Sequence, residues 1–174
     1  IDPATVLHVS GKTGLGVDEL IQAVIDRIPP PTGDADAPLR ALVYNSHFDT
    51  YKGVVVYVRV KEGRIVKGQK IKLMRGGTEH DIIEIGQFRP SMTTCSELVA
   101  GQVGYLMAQI KTLGDVHIGD TVTEALRPTA EALAGYKEPK PMVFSGLYPV
   151  NNNDFEALRE ALAKLRLNDS SFTY

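Results

Sequence analysis

Residues 53–75 read GVVVYVRVKEGRIVKGQKIKLMR. Val54, Val56, Val58 and Val60 alternate with Val55, Tyr57, Arg59 and Lys61, the period of two that a β-strand imposes. Branched side chains on one face suit a strand lying on a core. Glu62-Gly63 turns the chain, and Gly68-Gln69 turns it again before a second run, with Ile71 and Leu73 on one side and Lys70 and Lys72 on the other. The stretch predicts a twisted antiparallel meander, apolar on one side and basic on the other. Arg59, Lys61, Arg64, Lys67, Lys70 and Lys72 are therefore candidates for contact with nucleic acid phosphate, against the alternative of a plain solvated surface.

The same grammar extends outward. Residues 39–48 read as a strand, 49–52 as a loop, and 78–88 as a strand alternating through Ile83 and Ile85 until Pro90 breaks it. Gly101, Gly104 and Gly114 punctuate shorter strands, of which 103–110 is the most apolar. VHIGDTV at 116–122 repeats the phrasing of IVKGQKI at 65–71, a glycine and a polar residue at a tight turn between strands. Many short strands with glycine turns at this spacing predict a closed antiparallel β-barrel over 39–125 rather than an open sheet.

Both flanks break the pattern. Residues 6–9 read as a short buried strand running into SGKTGLG at 10–16, and 17–28 as a helix. Val17, Leu20, Ile21, Val24, Ile25 and Ile28 lie on one apolar stripe, as in the tail of an α/β domain whose body lies elsewhere. Pro29-Pro30-Pro31 stops the helix, and 32–38 continue as a polar linker. Residues 126–140 form a second linker. PMVFSGLYP at 141–149 reads as a strand, Asn153 as a helix cap with Glu156 three residues on, and Phe155, Leu158, Leu162 and Leu165 as the helix stripe. With a second strand beginning at 170–174, residues 141–174 predict the first βαβ part of a ferredoxin-like α+β domain. The fold class is thus mainly β, a barrel between an α/β tail at 1–31 and an α+β start. The two linkers predict interdomain motion.

The totals narrow the function. The chain has 174 residues, 43% hydrophobic and 23% charged, with a net charge of −2. These are ordinary globular values, so any nucleic acid contact has to come from a local patch. Cys95 is the only cysteine, which excludes an internal disulfide and fits a reducing compartment. His8, His47, His80 and His117 are scattered without metal-ligand spacing. No Ser-His-acid grouping or carboxylate pair is brought together by the coarse elements.

Gly11-Lys12-Thr13 invites a phosphate-loop reading that fails, because the glycine needed five residues before the Gly-Lys pair is Val6. The remaining reading is a base pocket. A backbone amide that follows the serine of a strand-end Ser-Gly-Lys can donate to the carbonyl oxygen of guanine, where adenine presents a donor instead.

A GTPase-like tail, a proline linker, a barrel and half of a ferredoxin-like domain, in that order, resemble the translational GTPases. RIPPP at 27–31, DTYKGVV at 49–55, KPMVFSGLYP at 140–149 and LNDSS at 167–171 are similar to the elongation factor 4 branch of that family. The resemblance covers almost the whole chain and implies an internal fragment: the end of a GTPase domain, a second domain and the start of a third. It implies a ribosome-associated GTPase acting in back-translocation, fidelity or subunit assembly. GTP or GDP and Mg²⁺ are implied for the parent, with none expected in the fragment. The implied partner is the ribosome, through small-subunit ribosomal RNA resting on the barrel, with tRNA met indirectly and no obligate homo-oligomer. The implied location is cytoplasmic, with peripheral association at the inner membrane, or organellar in a eukaryote. Ser10, Gly11 and Lys12 match the family's last guanine motif. The phosphate loop, switch regions and catalytic residues have no counterpart here, so the fragment alone is not expected to hydrolyse GTP. The alternative is a non-enzymatic β-barrel module that binds RNA or protein.

Overall fold

The computed structural model describes residues 2–110, 115–136, 140, 142–169 and 171–174. The chain divides into two compact units, Ile1–Pro31 and Thr32–Tyr174.

In the first unit a 3-10 turn, Pro3–Thr5, is followed by helix α1, Val17–Arg27. Asp18 and Glu19 sit in the first turn of α1 and Arg27 in the last, each at the end of the helix dipole that favours its charge. Residues 6–9 do not form the expected strand. Alternation makes a strand only when a neighbour supplies ladder hydrogen bonds, and among the described residues none does. The apolar stripe of α1 is at the surface, with Leu20, Ile21, Val24, Ile25 and Ile28 all exposed.

Among the described residues the second unit holds nine strands: β1 Arg40–Asp49, β2 Gly53–Glu62, β3 Arg64–Val66, β4 Lys70–Leu73, β5 Glu79–Arg89, β6 Ser91–Thr94, β7 Glu97–Val99, β8 Val103–Ala108 and β9 Thr121–Glu124. Six of them pair in the order β4-β9-β1-β2-β8-β5, and β5 pairs back to β4 to close the ring. All the pairings are antiparallel. β6 extends β5 as a hairpin, and β3 pairs with β7 apart from the ring. Val54, Val56, Val58 and Val60 of β2 point into the ring with Ala41, Val43, Ile71, Leu73, Ile82, Ile85, Leu106 and Val122, all buried. Burying one such side chain is worth about 1.5–3 kcal/mol, so this interior holds the unit together.

The barrel is closed as expected, but three local expectations change. β2, β3 and β4 are not a meander, because none of the three pairs with another. Alternation states which way a side chain points within one strand and carries no information about which strand lies alongside. β5 does not alternate through Ile83 and Ile85. A register shift between Ile82 and Glu84 puts Ile82 and Ile85 inside and leaves Ile83 50% exposed. The outer face of β2 is basic only at its far end. Val55 is fully buried there, in a second small cluster with Tyr105 and Met107, against which Tyr57 and Met92 pack.

The repeated phrase does mark a repeated turn. Gln69 N–H donates to Val66 O at 3.3 Å, and Asp120 N–H to His117 O at 3.1 Å. Gly68 and Gly119 take φ of 81° and 88°, a region closed to most side chains.

Helix α2, Phe155–Asn168, follows a 3-10 turn, Asn152–Asp154. Asn153 lies inside that turn, so the cap position falls on Asp154, without a side-chain capping bond. α2 meets the barrel at its C-terminal end. Leu167 is buried, its carbonyl accepts from Ser46 Oγ at 3.1 Å, and Lys164 Nζ sits 5.4 Å from the Phe48 ring centroid. Phe155 and Leu165 of the expected stripe are exposed. Residues 142–149 and 171–174 form no strand; Pro141 and Ser170 lie outside the described residues. As at residues 6–9, no neighbouring strand is there to pair with them among the described residues.

Candidate nucleotide and RNA contact sites

Ser10, Gly11 and Lys12 come together in a compact turn ahead of α1. Ser10 N–H donates to Leu15 O at 2.9 Å, Gly14 N–H to Ser10 O at 2.9 Å, and Thr13 N–H to Ser10 Oγ at 3.3 Å. The serine thus spends its backbone and hydroxyl on holding the loop. A Cβ on Gly11 would meet nothing within 4 Å, so the backbone there is open to approach. Gly11 is exposed, and a backbone amide that follows the serine suits a carbonyl oxygen. Val6 stands where a phosphate loop needs glycine, so a full phosphate cradle is not formed by this sequence. Among the described residues no group of three or more His, Cys, Asp or Glu side chains is placed to hold a metal ion.

The six basic candidates do not share one surface. Arg59 and Lys61 lie on β2, Lys70 and Lys72 on β4, and the two strands are three positions apart either way round the ring. Arg59 is exposed. Lys70 stands opposite Asp81 in the ladder, and Lys72 opposite Glu79, so this wall carries both signs. Arg64 is held by Asp36 at 2.7 Å and Glu97 at 3.6 Å. Lys67 is exposed at the turn beside Gly68.

Sequence reading missed an aromatic cluster on the outer wall. Tyr57 stacks on Tyr44 at 6.0 Å and His47 at 5.4 Å between centroids, meets Phe88 edge-on at 5.3 Å, and Phe88 lies 5.8 Å from Tyr105. These residues come from β1, β2, β5 and β8, so only the strand order reveals them. At the β1–β2 hairpin, Asp49 Oδ1 accepts from Tyr51 N–H and Lys52 N–H, both at 2.8 Å. Those two amides hold its carboxyl below the ordinary range. Cys95 is half-buried, and burial pushes its thiol up, away from the reactive thiolate.

The barrel defines the class. Residues 53–123 match the family described as Elongation factor Tu domain 2, so the ring of strands is a translation-factor second domain. Across its whole length the chain is also similar to proteins named elongation factor 4. It is 52% identical over 173 residues to elongation factor 4 1 of Rhodopirellula baltica, covering 99% of this chain and 29% of that protein. It is 50% identical over 174 residues to elongation factor 4 of Leptospira biflexa, covering 100% and 29%, and 47% identical over 174 residues to that of Bacillus subtilis, covering 100% and 28%. The chain belongs to the elongation factor 4 family and spans under a third of the length of these relatives.

Proposed function

We propose that the chain is the middle of a ribosome-associated translational GTPase that acts on the translating or maturing ribosome. The observation that carries this reading is identity of about half the residues, over 99–100% of the chain, to proteins named elongation factor 4, with a barrel of the elongation factor Tu second-domain type at its centre. Residues 1–31 are the end of the GTPase domain, 32–38 a linker, 39–125 the barrel, 126–140 a linker and 141–174 the start of a third domain. GTP or GDP and Mg²⁺ belong to the longer protein. Ser10, Gly11 and Lys12 contribute the last base contact, and the open backbone at Gly11 supports that role. The barrel rests on small-subunit ribosomal RNA through Arg59, Lys61, Lys67, Lys70 and Lys72, with Arg64 engaged by Asp36 and Glu97 instead, meets tRNA indirectly, and relays nucleotide state between its neighbours. The protein works in the cytoplasm and associates peripherally with the inner membrane.

A fluorescent-GDP titration of this chain and of the natural full-length protein, with ATP as competitor, tests the reading. The full-length protein is expected to bind without competition from ATP, and this chain is expected not to bind. Failure of the full-length protein to bind removes the Ser10-Gly11-Lys12 assignment and leaves the barrel as a binding module.

A further inference from the structure

The segments that lead into and out of the barrel are tied down and tied to each other. On the incoming side, Asp34 O accepts from Gly63 N–H at 2.7 Å, and Asp34 Oδ1 from Asp36 N–H at 2.9 Å. Arg64 donates from Nη2 to Asp36 Oδ1 at 2.7 Å and from Nε to Ala35 O at 3.3 Å. On the outgoing side, Thr129 N–H donates to Thr123 Oγ1 at 2.9 Å and Leu133 N–H to Thr121 Oγ1 at 2.8 Å. Both threonines are fully buried, so these acceptors are set by the barrel interior.

Arg127 crosses between the two segments. Its Nη1 donates to Asp36 O at 3.2 Å, and its Nη2 to Ala37 O at 3.2 Å and to Glu124 Oε1 at 3.1 Å. The same Glu124 oxygen accepts from Leu39 N–H at 3.1 Å, at the point where the incoming segment enters β1. The result is a closed circuit from Leu39 through Glu124 and Arg127 back to Asp36 and Ala37. A planar guanidinium spreads its donors over a rigid fork that spans these three acceptors, whereas an ammonium carries its three donors on one atom at the end of a flexible stem.

We propose that Arg127 is a latch that joins segments 32–38 and 125–136 into one seam, so that loosening one loosens the other. The two linkers are then not independent hinges, and Arg64 serves the seam. The latch stands on its own geometry; only its use in relaying nucleotide state rests on the function proposed above.

Amide hydrogen exchange followed by mass spectrometry on the chain tests it. Arg127→Ala is expected to speed exchange about tenfold, the loss of charge-assisted bonds, in residues 33–39 as well as 126–133. Arg127 is more than half exposed, so the β8 amides should hold their wild-type rate and serve as the internal control. Arg64→Ala is expected to speed exchange in 126–133 when Arg127 is present, and to leave that segment unmoved in the Arg127→Ala background. Arg127→Lys is expected to resemble the alanine variant, and it carries the comparison if Arg127→Ala also speeds β8. The proposal is overturned if exchange in 33–39 ignores Arg127, or if Arg64→Ala reaches 126–133 equally in both backgrounds. Nucleotide is absent throughout, so neither result depends on the GTPase reading.

Discussion

Tyr105 is buried although it points away from the barrel's interior. Val55 and Met107 surround it, and its hydroxyl donates to Glu84 Oε1 at 3.0 Å. Burial first, then the hydrogen bond to Glu84 and that carboxylate's charge, push its pKa up from 10.0 to about 12. A folded-state pKa above the unfolded one means stability that is present in full below pH 10 and lost as pH rises toward 12. Burial also raises Tyr44 and Tyr57, so a spectroscopic titration of phenolate should show late tyrosines, with unfolding in the same window, and Glu84→Gln should bring down the Tyr105 step alone. The partnership was not legible in the sequence, because Tyr105 and Glu84 are 21 residues apart and meet only through the β5–β8 ladder. What was legible at this scale was the turn chemistry: Gly68 and Gly119 were read from a repeated phrase, and both take the left-handed backbone that phrase requires.

At the scale of the element, β5 shows how far alternation carries. Its first residues pair with β4, its middle with β8 and its end with β6. One extended segment serving three neighbours has to bend, and the register shift between Ile82 and Glu84 is where it does so. Regular alternation assigned Ile83 to the core, whereas the bend exchanges it for Ile82. Ile82→Ala is expected to cost about 2–4 kcal/mol and Ile83→Ala within about 0.5 kcal/mol, read by denaturant unfolding. Equal costs would return β5 to regular alternation. α1 and α2 were legible because a 3.6-residue period needs no partner to be recognised. The segments at 6–9 and 142–149 were read as strands from composition alone, and a strand exists only beside another.

For the whole molecule, ring order decides what the basic residues can do together. They were found by reading along the chain, which places 59–61 and 70–72 close in sequence. The ring sets β2 and β4 three strands apart, roughly 14 Å along the wall at the usual interstrand spacing. Side chains that far apart, not in contact with one another, usually act independently. Arg59→Glu and Lys70→Glu are expected to weaken ribosome binding additively within about 0.5 kcal/mol, each flattening the salt dependence by about one ion. Strong coupling between them would require one partner to grip both walls, and no change in salt slope would remove the RNA contact altogether.

Ring closure has a further consequence, for the behaviour of concentrated protein. A strand edge is a row of unsatisfied amides and carbonyls that templates the addition of another chain. The Lys70–Asp81, Ile71–His80 and Lys72–Glu79 pairs close β5 onto β4, whereas β1 pairs with β9 only at Ala41 and Leu42. Among the described residues the strands outside the ring are short, β6 of four residues and β3 and β7 of three each. Self-association of this chain is therefore expected to start at the apolar side chains of Met142, Phe144 and Tyr148, which stand 85–90% exposed, rather than at the paired ring strands.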